Sequence, residues 1–333
     1  MDLEKLKKFD NQEMYKVYNK WPEIAEESYN TQFTQLNYSG IKHIVFAGMG
    51  GSGALGDIFS AILSKTNIHV TIVKGYLLPE TVNKQTLVII TSVSGNTVEA
   101  LTILNSAKEK KCKIIAFSSG GKLEEYCKND KIEFRKIEQI HSPRASFPKF
   151  LFSMLKILQP IIPINNHEIQ ESIKNLKIQR DEILTNSKNN KAIQLSKWIK
   201  GIPLIYFPHG LEAAAIRFKN SLQENVKMHV ITEDVIEACH NGIVAWEKSS
   251  NVQPILLMGE DDYIKTKERW TIIKEFFKKN SIEYVEVKSV KGGILSKLIN
   301  LIYFLDYTSI YLAAICETDP SPVKSIDFIK SKL

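Results

Sequence analysis

Thr86-Leu87-Val88-Ile89-Ile90-Thr91-Ser92-Val93-Ser94-Gly95-Asn96-Thr97 is the stretch on which the fold of this chain turns. Its first five residues are a short, largely β-branched apolar run followed by turn formers, the pattern of a buried strand. From residue 98 to 107 the apolar residues recur at helical spacing, so residues 92–97 form a strand-to-helix turn. Such a turn aims unpaired backbone N–H groups and the positive end of a helix dipole at one point, which suits a phosphate dianion. Ser92, Ser94 and Thr97 add hydroxyls, and Gly95 lets the backbone approach a ligand closely. A competing account has Asn96 capping the helix together with Glu99, with no ligand involved. That account leaves Ser92, Ser94 and Gly95 without a role, so phosphate binding is the expectation.

Working outward, residues 41–47 read as a buried strand running into Gly48-Met49-Gly50-Gly51-Ser52-Gly53-Ala54-Leu55-Gly56-Asp57 and a helix. The glycines are similar to the G-x-G-x-x-G dinucleotide fingerprint. An acid to hold the NAD ribose should then end the next strand, 69–73, but Lys74-Gly75-Tyr76 follows. That counts against NAD, and less strongly against NADP. The other reading is a loop whose backbone and Ser52 hydroxyl contact a smaller ligand. Further strands at 113–117 and 132–137 alternate with helices. The alternation predicts an α/β fold, a doubly wound parallel sheet with helices on both faces and binding loops at the strands' C-terminal ends. Both glycine-serine loops lie at such ends and can converge on one ligand.

The stretch up to about residue 37 reads as polar and helical, broken at Trp21-Pro22. A helix is expected over 146–158. Residues 164–200 follow as a helical hairpin broken at Asn186-Ser187-Lys188-Asn189-Asn190. A second alternation then begins, with strands at 204–207, 228–231, 254–258 and 282–287, helices at 211–224 and up to 279, and a long helix over 292–316. Two domains are expected, 1–155 carrying the phosphate loops and 156–333 supplying other catalytic parts.

Composition narrows the function classes. The 333 residues are 44% hydrophobic and 24% charged, and the net charge of +7 is spread over many lysines. This favours an anionic small molecule and gives no dense basic patch for nucleic acid. Cys112, Cys127, Cys239 and Cys316 stand far apart, which points to neither a zinc knuckle nor a disulfide framework. Scattered cysteines and a charged N-terminus without a signal peptide predict a cytoplasmic protein. Residues 298–316 are apolar enough to raise a membrane question, but Asp306 in mid-run favours a buried helix. Without H-x-H or H-E-x-x-H spacing, no metal is expected.

Three residues stand out singly. Arg144, in a loop entering a helix, suits substrate oxygens, or equally a plain surface position. Glu224 has no charged immediate neighbour and suits a general base, although a solvated glutamate is the commoner case. His240, in Ala238-Cys239-His240-Asn241, suits a proton shuttle or an ordinary turn.

Taken in order, the motifs stop being independent. Gly-Met-Gly-Gly-Ser-Gly at 48–53, Ser-Val-Ser-Gly-Asn-Thr at 92–97, Pro-Arg-Ala at 143–145, Gln-Glu-Asn at 223–225 and His-Asn at 240–241 are followed by Asp-Pro-Ser-Pro-Val at 319–323. The set resembles the archaeal bifunctional phosphoglucose/phosphomannose isomerase family, proteins of two sugar isomerase (SIS) domains, from about residue 41 onward. Val93 and Cys239 depart from the residues usual there.

The resemblance implies that Gly51, Ser52, Ser92, Ser94 and Thr97 hold a hexose 6-phosphate. It implies that Glu224 moves a proton between C1 and C2, that His240 opens the ring, and that Arg144 steadies the enediolate. A C-terminal lysine also reaches the site in that family; Lys330 is the best match, with Lys332 beside it, and Ser321 is a pocket candidate. No cofactor is implied. The resemblance further implies a homodimer sharing its active sites, and the long apolar helix suggests the same. Two rivals belong to other classes: a sugar-phosphate sensor without turnover, and an NADP-dependent oxidoreductase.

Overall fold

A computed structural model describes residues 3–34, 36, 38–184, 187 and 189–333. Two compact bodies divide the chain, one formed by Lys20–Asn166 with Lys324–Leu333 and the other by Met1–Asn19 with His167–Val323. The dividing line thus falls after Asn166. Each body also takes in one chain end that a split at 155/156 assigns to the other.

The elements follow in chain order. Helices α1 (Leu3–Phe9), α2 (Met14–Asn19) and α3 (Trp21–Asn30) come first, with Pro22 in the first turn of α3, where a missing N–H costs nothing. The first sheet then alternates β1 (His43–Ala47), α4 (Gly50–Leu63), β2 (His69–Val73), β3 (Leu87–Thr91), α5 (Val98–Glu109), β4 (Lys113–Ser118), α6 (Gly121–Asn129), β5 (Glu133–Lys136) and α7 (Phe147–Leu158). After α8 (Asn166–Ile183) and α9 (Lys191–Trp198) the second sheet alternates β6 (Ile202–Phe207), α10 (Glu212–Ser221), β7 (Ile231–Asp234), α11 (Val235–Ala238), β8 (Val252–Met258), α12 (Ile264–Lys279), β9 (Val285–Lys288) and α13 (Ile294–Ile315). A short α14 (Lys324–Lys330) ends the chain. Residues 35 and 37 of the expected N-terminal helical stretch, and 186 and 188 of the expected break, lie outside the described residues.

All strand pairs are parallel, in the orders β2-β1-β3-β4-β5 and β7-β6-β8-β9. This is the doubly wound arrangement expected. Strand order reverses between β1 and β3 in the first sheet, and between β6 and β8 in the second. Ligand crevices open at such points.

The period-2 rule sorts the first core. Val45, Ala47, Val88, Ile90 and Ala116 face one way and pack with Ala100, Leu104 and Leu123 of α5 and α6. Phe46 faces the other way and stacks on Phe59 of α4, ring centroids 5.0 Å apart. In the second sheet Leu204, Tyr206 and Leu256 pack with Trp270, Ile273 and Phe277 of α12.

Two sequence expectations change. The strand expected at 228–231 is instead β7, Ile231–Asp234. Lys227 takes a left-handed φ of 64° and ends the preceding helix, so the apolar Met228–Val230 stretch is spent on the crossing. The strand proper is a polar edge strand. The helix α13 is long and apolar enough to cross a membrane, yet 94% of its most apolar window is buried within the protein, against α1, α2, α9 and α10. It is a core helix. Its apolar surface is used within one chain, so it supplies no argument for a dimer.

Candidate active site

In the first body both glycine-serine loops sit at the reversal point. α5 begins at Val98 with Thr97 as its N-cap, and no side chain caps its first N–H groups. The competing account therefore fails. Asn96 Oδ1 accepts the Lys122 N–H at 3.0 Å, and Thr97 turns its hydroxyl to Ser92 Oγ at 2.9 Å. Ser92 Oγ accepts the Gly95 N–H at 3.1 Å, and Ser94 Oγ accepts that of Asn96 at 3.3 Å. Gly95 has φ +70°, and an added Cβ would lie 1.7 Å from the Gly120 carbonyl oxygen. The close approach that needs a glycine is thus to Gly120 of the neighbouring loop, which pins the turn from behind.

The first loop meets the second through Ser52. Its hydroxyl, buried in the first turn of α4 next to Gly51, accepts the Val93 N–H at 3.4 Å. Gly48 lies against it; a Cβ there would come within 2.9 Å of the Thr91 carbonyl oxygen. The α4 N-terminus, like that of α5, has no side-chain cap. Two helix N-termini with open amides thus flank hydroxyls at one crevice, a cradle for an anion.

Lys74, placed where a cofactor ribose would be read, gives both its short bonds (2.7 Å each) to Asp57. Burial raises the Asp57 carboxyl, and Lys74 opposes that rise. This lysine is committed to neutralising a half-buried acid.

Arg144 is only 5% exposed, so it is no plain surface arginine. Its loop is tightly tied. Ser146 Oγ donates toward the Ile140 and Ser142 carbonyls at 2.8 Å each, and Trp21 Nε1 donates to the Ala145 carbonyl at 3.1 Å. Lys330 stands exposed at the end of α14, and Lys332 lies 5.9 Å from the Phe328 ring.

In the second body Glu224 is half-buried on a π-helical turn, Leu222–Val226, that continues α10. The sequence reading extended an ordinary helix to this residue. Such one-turn widenings recur at functional sites. Lys227 Nζ donates to the Glu224 carbonyl and, at 2.7 Å, to that of Pro322. The 319–323 motif is thereby held beside the turn, with Ser321 in the same loop, its N–H on Asp319 Oδ1 at 2.9 Å. His240 is exposed just after α11, its N–H bonded to the Glu237 carbonyl at 2.8 Å. Burial raises the thiol of the adjacent Cys239.

The sequence reading missed a buried ion pair behind the turn, Arg217 with Asp306 at 2.7 Å. The available signal was two opposite charges, each inside an apolar helical run, since a charge buried on a helix face requires a partner.

Known proteins resemble this chain over most of its length. Residues 38–156 match the SIS domain family, and residues 188–333 match the bacterial phospho-glucose isomerase C-terminal SIS domain. A bifunctional phosphoglucose/phosphomannose isomerase of Caldicellulosiruptor bescii is 32% identical, over 95% of this chain and 97% of its own. One from Aquifex aeolicus is 29% identical, over 97% and 98%. Among solved structures, the C-terminal domain of glucosamine-fructose-6-phosphate aminotransferase from Francisella tularensis superposes with a TM-score of 0.70 at 16% identity, covering 92% of this chain and 96% of that one; it supports the fold. With paired parallel sheets, an uncapped hydroxyl-lined crevice and full-length kinship, this chain belongs to the bifunctional phosphoglucose/phosphomannose isomerases.

Proposed function

We propose that the chain interconverts glucose 6-phosphate and mannose 6-phosphate with fructose 6-phosphate through an enediolate. The observation that carries the reading is the crevice of Gly51, Ser52, Ser92, Ser94 and Thr97, where open amides and hydroxyls converge. Phosphate held there supplies binding energy remote from the reacting carbons and positions them. His240 opens the ring, Glu224 carries the proton between C1 and C2, and Arg144 and Lys330 stabilise the oxyanions. Both aldoses are served because the enediol can be reprotonated on either face of C2. The proton transfer needs no metal, and prolonged chelation should leave the rate unchanged. A coupled assay of fructose 6-phosphate formed from each aldose tests the reading. A protein that binds both sugars without forming ketose is a sensor instead.

We further propose a homodimer of the cytoplasm in which His240 serves Glu224 of the partner subunit. Support comes from the exposure of His240 within a segment that also exposes Ile231 (46%), Ile236 (37%) and Val244 (57%). Such apolar exposure suits an interface. Glu224→Gln and His240→Ala chains, each nearly inactive, should complement when unfolded and refolded together. About half the dimers are then mixed, each with one intact site, so about a quarter of wild-type activity should return. No recovery from dimers shown by mass to be mixed would reject the shared site.

A further inference from the structure

Asp306 lies in the middle of α13 with no exposure to solvent, and its carboxylate gathers donors from two other helices of the same body. Arg217 of α10 approaches it with Nη2 at 2.7 Å from Oδ2 and Nε at 3.1 Å from the same oxygen. Ser221, one turn further along α10, donates its hydroxyl to Oδ1 at 2.5 Å. From α2 the Tyr18 hydroxyl reaches Oδ2 at 3.2 Å. One turn on again, Asn225 of the π-helical turn gives Nδ2 to Ser309 Oγ at 2.8 Å, and Ser309 in turn donates to the Asp306 carbonyl at 2.6 Å. Arg217, Ser221 and Asn225, spaced by four, therefore form a row of polar anchors along one face, all tied to Asp306 and Ser309. Glu224 precedes the last anchor by one residue.

A row of buried polar bonds is an expensive way to hold two helices together. Apolar side chains of like volume serve as well or better. What a hydrogen-bonded row supplies is a single register, because any slip leaves buried donors unpaired. Register matters here because the widened turn changes which direction Glu224 faces. We infer that Asp306 is a positioning residue for the isomerisation, its carboxylate fixing through Arg217 and Ser221 the end of α10 from which the π-helical turn presents Glu224. Ser309, on the Asp306 main-chain carbonyl, anchors that turn beside it. The inference rests on Glu224 as the base, the reading proposed above. An electrostatic link supports it. Burial works against the Arg217 charge, but Asp306 first, and Tyr18 and Glu224 after it, more than offset this and hold the guanidinium protonated.

The test compares Asp306→Asn in two backgrounds, the wild type and Glu224→Gln. With Glu224 present, Asp306→Asn should lower kcat about 10- to 100-fold with KM within about twofold, as expected when a reacting group is misplaced. In the Glu224→Gln background the same change should alter the residual kcat by less than about twofold, because the group it positions is already gone. Melting temperature and binding of a non-isomerisable sugar phosphate are measured on all variants, so rates refer to folded protein. An equal loss in both backgrounds, or a folded Asp306→Asn enzyme with wild-type kcat, would overturn the inference. If Asp306→Asn does not fold, Ser221→Ala and Ser309→Ala, each removing one anchor, take its place. Each should lower kcat about 3- to 10-fold at unchanged KM in the wild type alone, and unchanged kcat in both rejects the inference. A Glu224→Gln enzyme keeping more than about a tenth of wild-type kcat would instead remove the base assignment.

Discussion

The two sheets wind alike, but of the loops at their reversal points one is neutral and rich in hydroxyls and the other is acidic. After β3 the chain reads Ser-Val-Ser-Gly-Asn-Thr; after β8 it reads Gly259-Glu260-Asp261-Asp262. In the first loop hydroxyls surround an uncapped helix N-terminus. In the second, the Asp262 carboxylate folds back onto the Gly259 N–H at 3.0 Å and takes the Trp270 indole N–H at 2.9 Å. The carboxylate is thus held within its own loop, and two more acids stand beside it in the sequence, so an incoming anion would meet negative charge. One winding thus yields a hydroxyl-lined loop in one body and an acidic loop in the other. In the proposed reaction the second body contributes Glu224 and His240, which stand after its α10 and α11. Fold duplication does not imply duplicated function.

The largest expected effect breaks this division from the chemical side. Glu224→Gln should lower kcat by about 10²- to 10⁴-fold while inhibition by inorganic phosphate and the melting temperature stay near wild type. The converse change, Ser94→Ala with Thr97→Ala, should weaken a phosphorylated sugar by about 10- to 100-fold and hardly affect an unphosphorylated one. Phosphate that fails to inhibit the wild type would refute the cradle.

Glycine sharpens the contrast next. At Gly95 an alanine meets both a left-handed backbone and the Gly120 carbonyl at 1.7 Å. Denaturant unfolding should show a loss of about 2–4 kcal/mol. At Gly259 the obstacle is the Asp262 side chain, 2.1 Å from an added Cβ. That side chain can rotate away, and the loss should be about 1 kcal/mol, the value of a broken cap-like bond. Equal losses would mean the two loops are no more different than their sequences.

The smallest effect belongs to Asp262→Asn. Loss of a charged acceptor should cost about 1–2 kcal/mol and leave kcat, KM and phosphate inhibition within about twofold. A new phosphate-binding event in isothermal titration would show that a carboxylate alone separates the two loops.

Several features of this protein were determined by local sequence. The β-branched runs at β1, β3, β4, β6 and β8, the glycines between strand and helix, and the hydroxyls at 92–97 declare themselves over a few residues. Strand propensity, turn geometry and helix-end chemistry act at that range. The ordered motifs then carry the resemblance from which the catalytic residues are proposed. Only tertiary structure decided the rest, because burial depends on which distant segment arrives. Asp306 in mid-run favours a buried helix over a membrane span, but which elements bury it, α1, α2, α9 and α10, emerges only on packing. Lys74 follows β2 in the sequence with no partner legible, and only folding brings it to Asp57. Gly95 faces a ligand or a neighbour, and the neighbour is Gly120. Arg217 and Asp306 lie 89 positions apart, and no local pattern pairs them. The desolvation cost of each charge alone requires that they meet, but only packing shows that their meeting place lies behind Glu224.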